Sequence, residues 1–190
     1  MIQTAELVEV RWHGRGGQGA VTSAELLARA AISEGKYAQA FPSFGPERRG
    51  APVLAFDRIS KNDPIRVRAE ITEPDVIVVL DSGLVSIVNV TSGLKDNGII
   101  VINTKRSADD IAAEFGNKWT VAVIDATRIA KEILKVNIVN TTMIGALLKA
   151  TGVVDMNSLA QPLNDRFGRL AERNQNAMEL AFENTGIKEK

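Results

Sequence analysis

The sequence contains no cysteine among its 190 residues, and it has only one histidine. Without thiols the chain can form no disulfide and can supply no thiolate to a zinc site or an iron–sulfur cluster. The single histidine, His13, has no carboxylates grouped around it in the sequence, so we expect a structural role at a strand end rather than metal binding. Any redox metal is therefore expected on another chain.

The chain also lacks net charge, because 23 basic residues balance 23 acidic ones. This balance predicts no nucleic-acid partner and no anionic membrane surface. No apolar run is long enough to cross a bilayer, and the N-terminus lacks the pattern of a signal peptide, so we expect a cytoplasmic protein. Between residues 11 and 70, however, ten Lys and Arg stand against six Asp and Glu, which favours an anionic ligand in that region.

Apolar runs typical of strands alternate with helix-forming stretches. Three nearly continuous β-branched runs are typical of central parallel strands covered on both faces; they lie at residues 75–81, 98–104 and 119–127. The runs 52–59 and 65–71 flank a turn-forming Asn-Asp-Pro sequence and predict an antiparallel pair. We therefore predict an α/β fold, a single three-layer sandwich domain over residues 1–190, with a mostly parallel central sheet, an antiparallel pair and helices on both faces.

Helical patterns fill much of the remaining chain. The first covers residues 20–35 and ends at Gly35; its apolar face contains Val21, Leu26, Leu27, Ala30 and Ala31. Further helices are predicted at residues 84–90, 108–115, 127–135, 140–150, 157–166 and 168–184. The last residues, 185–190, are expected to fray.

Four glycines lie within six positions between the first strand and the first helix, in the segment RWHGRGGQGAVT. Gly14, Gly16 and Gly19 fit the pattern G-x-G-x-x-G, and Gly17 and Gln18 lie inside it. Glycines at such a turn let the backbone approach a phosphate, and free amides at the helix start supply donors and partial positive charge. The loop predicts an anion site, although a tight turn that needs glycine for its geometry is an alternative.

The same setting is that of a dinucleotide-binding fold, so a free-standing Rossmann-like NAD-binding module is a second interpretation. It requires an acidic residue about 20 positions further on to bind the ribose. The segment YAQAF offers only Gln39 there. A nucleotide-triphosphate P-loop is excluded, because the last glycine is not followed by Lys and then Ser or Thr.

A second unusual stretch, AFPSFGPERRGAP, contains three of the six prolines and predicts an ordered surface loop. Arg48 and Arg49 stand beside Gly50 there, and adjacent arginines suit phosphate or carboxylate recognition. A solvated pair beside Glu47 is the alternative.

Few other residues suggest chemistry. Asp81 and Ser82 end a buried-type strand, where ligand crevices of α/β sheets lie, but capping of the next helix is the favoured interpretation. Asn103 and Thr104 have the same two interpretations. The chain contains no G-x-S-x-G nucleophile elbow.

The segments RWHGRGGQGAVTSAELLA, AQAFPSFGPERRGAPVLAF and IRVRAEITEPDVIVVLD occur in this order. Together they resemble the gamma subunits of the 2-oxoacid:ferredoxin oxidoreductase family, most closely the pyruvate type and next the 2-oxoisovalerate type. The similarity continues through NTTMIGALLKATGVV to the last helices, so it covers nearly the whole chain.

The resemblance implies a subunit of a complex that oxidatively decarboxylates a 2-oxoacid, transfers the acyl group to coenzyme A and reduces ferredoxin. It implies alpha, beta and delta partner subunits. Thiamine diphosphate, Mg and the 4Fe-4S clusters would be held by those partners.

For this chain the resemblance implies a structural role near the coenzyme A entrance, with no catalytic residue. The expected contacts with coenzyme A phosphates or a neighbouring subunit are Gly14, Gly16, Gly17, Gln18, Gly19, Arg48 and Arg49. A pure scaffold, in which both motifs touch only protein, is a further interpretation.

Overall fold

A computed structural model describes residues 5–43 and 50–190. Its seven-stranded sheet has the order β2-β3-β1-β4-β5-β6-β7. The strands are β1 (Leu7–Arg15), β2 (Tyr37–Pro42), β3 (Pro52–Ser60), β4 (Val76–Val79), β5 (Ile99–Asn103), β6 (Thr120–Ile124) and β7 (Gly186–Lys188). β1, β4, β5 and β6 run parallel to one another, whereas β3 and β7 are antiparallel to their neighbours.

Helices cover both faces of this sheet, as predicted. They are α1 (Ala20–Ser33), α2 (Ala108–Glu114), α3 (Ala126–Ile129), α4 (Asn140–Thr151), α5 (Ala160–Phe167) and α6 (Ala171–Asn184). α3 continues as a π-helical stretch, Ala130–Leu134, and 3-10 turns lie at Ser82–Leu84, Met156–Leu159 and Gly168–Leu170. One core joins the sheet to α1, α4 and α6; a second core, on the opposite face, joins it to α2 and residues 84–94.

The central strands are apolar throughout because both of their faces are covered. Val76 and Val78 belong to the core that contains α1, while Ile77 and Val79 belong to the opposite core, and all four are fully buried. The alternation of side chains along a strand sends successive residues to opposite faces. The prediction of parallel central strands is therefore confirmed.

α1 ends where the sequence predicted. Gly35 adopts a φ of +79°. Its N–H donates to the Ile32 carbonyl at 2.9 Å, and the Lys36 N–H donates to the Ala31 carbonyl at 3.1 Å. This pair of bonds is the Schellman arrangement, which satisfies carbonyls that the helix would otherwise leave open.

The predicted antiparallel pair is only half correct. β3 is antiparallel, but its partners are β1 and β2, and residues 65–71 form no strand. Both edges of β3 are already occupied by β1 and β2, so the sequence that follows β3 cannot pair with it as a hairpin. Residues 65–71 therefore have the sequence pattern of a strand but form no strand pairing in the described structure.

Two further predictions are wrong. Residues 84–90 form a 3-10 turn and irregular turns rather than a helix; their many β-branched side chains disfavour helix. Most of the C-terminal segment that was expected to fray is part of the sheet, because Gly186–Lys188 pairs with β6 as β7. A sheet edge left bare would leave the backbone groups of β6 unpaired, so this short strand is stabilised by its position.

Asp57 lies near the centre of β3, and its side chain carboxyl group has no exposed surface. Its Oδ2 accepts a hydrogen bond of 2.7 Å from Trp12 Nε1, and its Oδ1 has no partner among the described residues. Burial raises the pKa of Asp57 well above its usual value, and the bond from Trp12 offsets this only in part. The folded chain therefore favours the neutral acid.

This predicts a stability difference that depends on pH. Asp57 has a higher pKa folded than unfolded, so the free energy of unfolding falls as pH rises from about 4, by at most about 1.4 kcal/mol per pH unit. Asp57→Asn keeps an acceptor for Trp12 and removes the ionisation. We expect the free energy of unfolding of Asp57→Asn, measured in urea, to rise relative to that of the wild type between pH 5 and 9. Asp63→Asn, on an exposed turn, is the control; equal slopes for all three proteins would contradict the prediction.

Candidate functional site

The glycine loop, residues 14–19, lies at the carboxyl edge of the sheet, where the chain changes faces. The helix after β1 packs on one face, whereas the residues after β4 pack on the other. Since β1 and β4 are neighbours, the loop stands at a topological switch point, where open α/β sheets form their ligand crevices.

Three of the glycines are required for different reasons. A Cβ on Gly14 would lie 3.1 Å from Leu80 Cδ1, so the loop packs closely on the next strand. Gly19 has a φ of +85°, and a Cβ there would lie 2.9 Å from the Asn140 side-chain amide. Gly17 has a φ of +93° but faces open space. Two positions are thus set partly by packing, and one by backbone conformation alone.

Three amides of the loop already have acceptors, so the loop offers fewer free donors than the sequence suggested. The N–H of Arg15 donates to Gln18 Oε1 at 2.8 Å, and the N–H of Gln18 donates to the Arg15 carbonyl at 3.0 Å. The N–H of Gly16 donates to the Ala51 carbonyl at 3.0 Å. Further donors lie at the start of α1, which has no side-chain cap and whose first bond runs from Ser23 to Gly19.

Asp81 joins the loop to β4. Its Oδ2 accepts from Arg15 Nε at 2.7 Å and from Gln18 Nε2 at 3.3 Å, and its Oδ1 accepts from the Gly83 N–H at 2.9 Å. Burial alone would raise the pKa of Asp81, but these hydrogen bonds outweigh it and lower the pKa below its usual value. An ion pair between Arg15 and Asp81 therefore spans the switch point. Asp81 also caps the 3-10 turn Ser82–Leu84, which confirms the capping role expected for it.

Asn103 also has a structural role. Its side-chain amide donates to the Leu80 carbonyl and to Thr127 Oγ1, each at 2.9 Å. The ends of β4 and β5 and the start of α3 are joined by this one side chain.

His13 is buried, and its Nε2 accepts a hydrogen bond of 3.1 Å from Arg11 Nε. Burial, together with the nearby Arg11 cation, lowers the pKa of His13 to about 3. The lowered pKa keeps the imidazole neutral across the physiological range and makes it a poor general acid, while its burial and its bond from Arg11 agree with the expected structural role.

A cleft of about 590 Å³ lies against the glycine loop. We call it the arginine cleft; it lies between the first turn of α1, residues 134–138 and the junction of α5 with α6. Its cations are Arg15, Arg166 and Arg173, and its exposed apolar side chains include Val136, Ile138 and Leu170. Arg166 Nη2 donates to Thr22 Oγ1 at 3.4 Å, which sets this guanidinium beside the start of α1. Within the described ranges neither Arg166 nor Arg173 has an ion-pair partner.

Arg48 and Arg49, the second predicted motif, lie outside the described residues. The two residues that follow them do reach the glycine loop. The Gly50 carbonyl accepts from Arg15 Nη1 at 3.3 Å, and the Ala51 carbonyl accepts from Gly16.

Residues 9–184 match the family described as pyruvate ferredoxin/flavodoxin oxidoreductase. The chain belongs to this family. It is 52% identical to the pyruvate/ketoisovalerate oxidoreductases common subunit gamma of Pyrococcus furiosus, over 95% of this chain and 98% of the relative. It is 51% identical to pyruvate synthase subunit PorC of Methanothermobacter thermautotrophicus, over 93% and 95%.

Solved structures share the fold of this oxidoreductase family member. Subunit PORC of pyruvate oxidoreductase from Thermotoga maritima is 36% identical, with a TM-score of 0.85 over 97% of this chain and 99% of that one. The 2-oxoglutarate:ferredoxin oxidoreductase of Magnetococcus marinus, solved with coenzyme A bound, is 21% identical, with a TM-score of 0.72 over 94% of this chain and 30% of that one. At that identity it supports the fold alone.

The strand order of the sheet argues against the NAD-binding interpretation. β3 lies between β1 and β2, so Gln39 on β2 is not beside the glycine loop, and an acid there could not serve a ribose at the loop. The resemblance to gamma subunits is confirmed by the relatives.

Sequence reasoning missed Arg166 and Arg173, because they lie on helices whose pattern is that of ordinary surface helices. Over residues 5–43 and 50–190, no three His, Asp or Glu side chains are grouped so as to hold a metal ion. The same ranges include no helix with the length and hydropathy of a membrane span.

Alanine substitutions separate the two reasons for glycine. Gly17→Ala meets only the strain of positive φ, about 1–2 kcal/mol. Gly19→Ala meets that strain and must also displace Asn140, so we expect a larger loss of unfolding free energy in urea titrations of the full chain. Equal losses of unfolding free energy in the two variants would show that the Asn140 side chain moves aside without an energetic penalty.

Proposed function

We propose that this chain is the gamma subunit of a multisubunit pyruvate:ferredoxin oxidoreductase, which converts pyruvate to acetyl-coenzyme A and CO2 and reduces ferredoxin in the cytoplasm. Its partners would be alpha, beta and delta subunits. The observation that carries this proposal is identity of about half of all residues over nearly the full length of both chains, to proteins that are named as such subunits.

The chain's own residues support a role other than catalysis. His13 is neutral and buried, Asp57 is inaccessible, and Asp81 is occupied by Arg15 and Gln18. The sequence has no cysteine for an iron–sulfur cluster. Thiamine diphosphate, Mg and the 4Fe-4S clusters are therefore assigned to the partner subunits.

Substrate choice is assigned to those subunits as well. The Pyrococcus furiosus relative is named a common subunit of pyruvate and ketoisovalerate oxidoreductases. A chain shared by two enzymes cannot distinguish their 2-oxoacids. We place pyruvate first, because both relatives are named for pyruvate, and the branched-chain acid, 2-oxoisovalerate, second, because only one of them is also named for it.

Coenzyme A fits the arginine cleft in charge and in polarity. Its phosphates need cations and N–H donors, which Arg166, Arg173 and the uncapped start of α1 can supply. Its adenine and pantetheine groups need apolar surface, which Val136, Ile138 and other side chains provide. We propose that part of coenzyme A binds here, with the loop residues Gly14, Gly16, Gly17, Gln18 and Gly19 and the motif residues Arg48 and Arg49 contributing to this entrance.

The test is to replace the cleft arginines in the assembled enzyme. Arg166→Gln and Arg173→Gln each remove a charge-assisted contact, so the KM for coenzyme A should rise roughly tenfold or more, with kcat for pyruvate-dependent dye reduction little changed. Arg169→Gln is the matched control, because Arg169 is an exposed arginine nearby that does not line the cleft. Replacing Arg48 and Arg49 with Ala should act in the same direction.

Two outcomes would contradict the coenzyme A proposal. An unchanged KM in complexes that assemble normally would place coenzyme A elsewhere. Loss of assembly, with a normal KM in the remaining complex, would identify the cleft as a contact between proteins, as the scaffold interpretation requires.

A further inference from the structure

Residues 65–71, with the sequence IRVRAEI, have the alternation of a β-strand but belong to no strand. Ile65, Val67 and Ile71 are β-branched, and Arg66 and Arg68 stand between them. β3, the nearest strand in the sequence, is paired on both edges, and in the described part of the chain this segment forms no ladder with any strand of the sheet.

The segment is held on the protein through three of its carbonyls. Gln39 Nε2 donates to the Ile65 carbonyl at 3.0 Å, and Arg58 Nη1 donates to the Val67 carbonyl at 3.2 Å. The Ile71 carbonyl accepts from buried Arg11 at 3.4 Å. All three donors are side chains that project from β1, β2 and β3, so the segment is anchored without being part of the sheet.

The middle of the segment is open to solvent. Residues 66–70 are all exposed, and the apolar side chain of Val67 is 58% exposed. In the described part of the chain, residues 66–70 make no backbone-to-backbone hydrogen bond. Nor do Arg66 and Arg68 form an ion pair there.

These observations together describe a partner site for a strand. The Val67 carbonyl is held by Arg58, but the other backbone groups of residues 66–70 make no hydrogen bond to the backbone of the described residues. Such groups, next to β-branched side chains, pair readily with another extended chain. Arg66 and Arg68, which form no ion pair with the described residues, flank one exposed valine and favour a partner segment that carries carboxylates and an apolar residue.

We propose that residues 66–70 form a docking segment, which pairs through its backbone with an extended, acidic segment of another subunit of the oxidoreductase. The inference rests on the proposed function, because that function supplies the partner subunits. Backbone pairing provides affinity, and Arg66 and Arg68 select the acidic partner.

Hydrogen exchange tests the pairing directly. The backbone amides of residues 66–70 are measured by mass spectrometry in the purified chain and in the complete enzyme. We expect at least tenfold slower exchange in the complete enzyme. Equal exchange in an assembled, active enzyme would overturn this inference and leave the proposed function standing, whereas a chain that never assembles with such subunits would overturn both. Protection that arises in the chain alone through self-association would identify a second copy as the occupant and also overturn it.

Charge reversal tests the chemistry of the partner. Arg66→Glu with Arg68→Glu should weaken capture of the other purified subunits by the tagged chain at least tenfold. Lys105→Glu with Lys131→Glu makes the same change in net charge at exposed positions elsewhere and should leave capture unchanged. If both double variants captured the other subunits equally well, the proposal that the partner segment is acidic would be wrong.

Discussion

The burial of β1 from Val10 to Gly14 is the constraint on which the rest of the structure depends. The strand is paired on one edge with β3 and on the other with β4, and both of its faces are covered. Arg11 is nonetheless one of its residues, and a buried guanidinium must find acceptors. It finds them in the carbonyls of Ile71, Val90 and Ser92, which anchors two irregular segments to the sheet face opposite α1.

The same strand places the glycine loop at the switch point of the sheet. Asp81 then anchors the loop by accepting from Arg15 and Gln18, and three backbone amides of the loop are already bonded, so the loop offers few free donors to a ligand. Cations that can meet a ligand come instead from α5 and α6, through Arg166 and Arg173. The anion site that we propose would thus be formed by parts of the chain that are distant in sequence.

Ionisable groups are divided between the interior and the surface. Inside, His13 is neutral and burial favours the neutral acid form of Asp57, so neither is suited to proton transfer. On the surface, arginines without ion-pair partners in the described ranges stand beside apolar side chains, both at the arginine cleft and at residues 66–70. This distribution suits a subunit that binds and positions others and leaves the chemistry to them.

Sequence by itself determined the central strands, the first helix with its end at Gly35, the position of the glycine loop and the family, because these depend on local periodicity, on turn residues and on long motifs. Tertiary structure decided that β3 lies between β1 and β2, that residues 65–71 stay unpaired, that residues 186–188 join the sheet, and that Arg166 and Arg173 meet the glycine loop. The physical reason is that a strand has only two edges and a cleft is made by side chains far apart in sequence. Which segments occupy the strand edges and the cleft walls depends on competition among all the elements, and this cannot be predicted from a local sequence pattern.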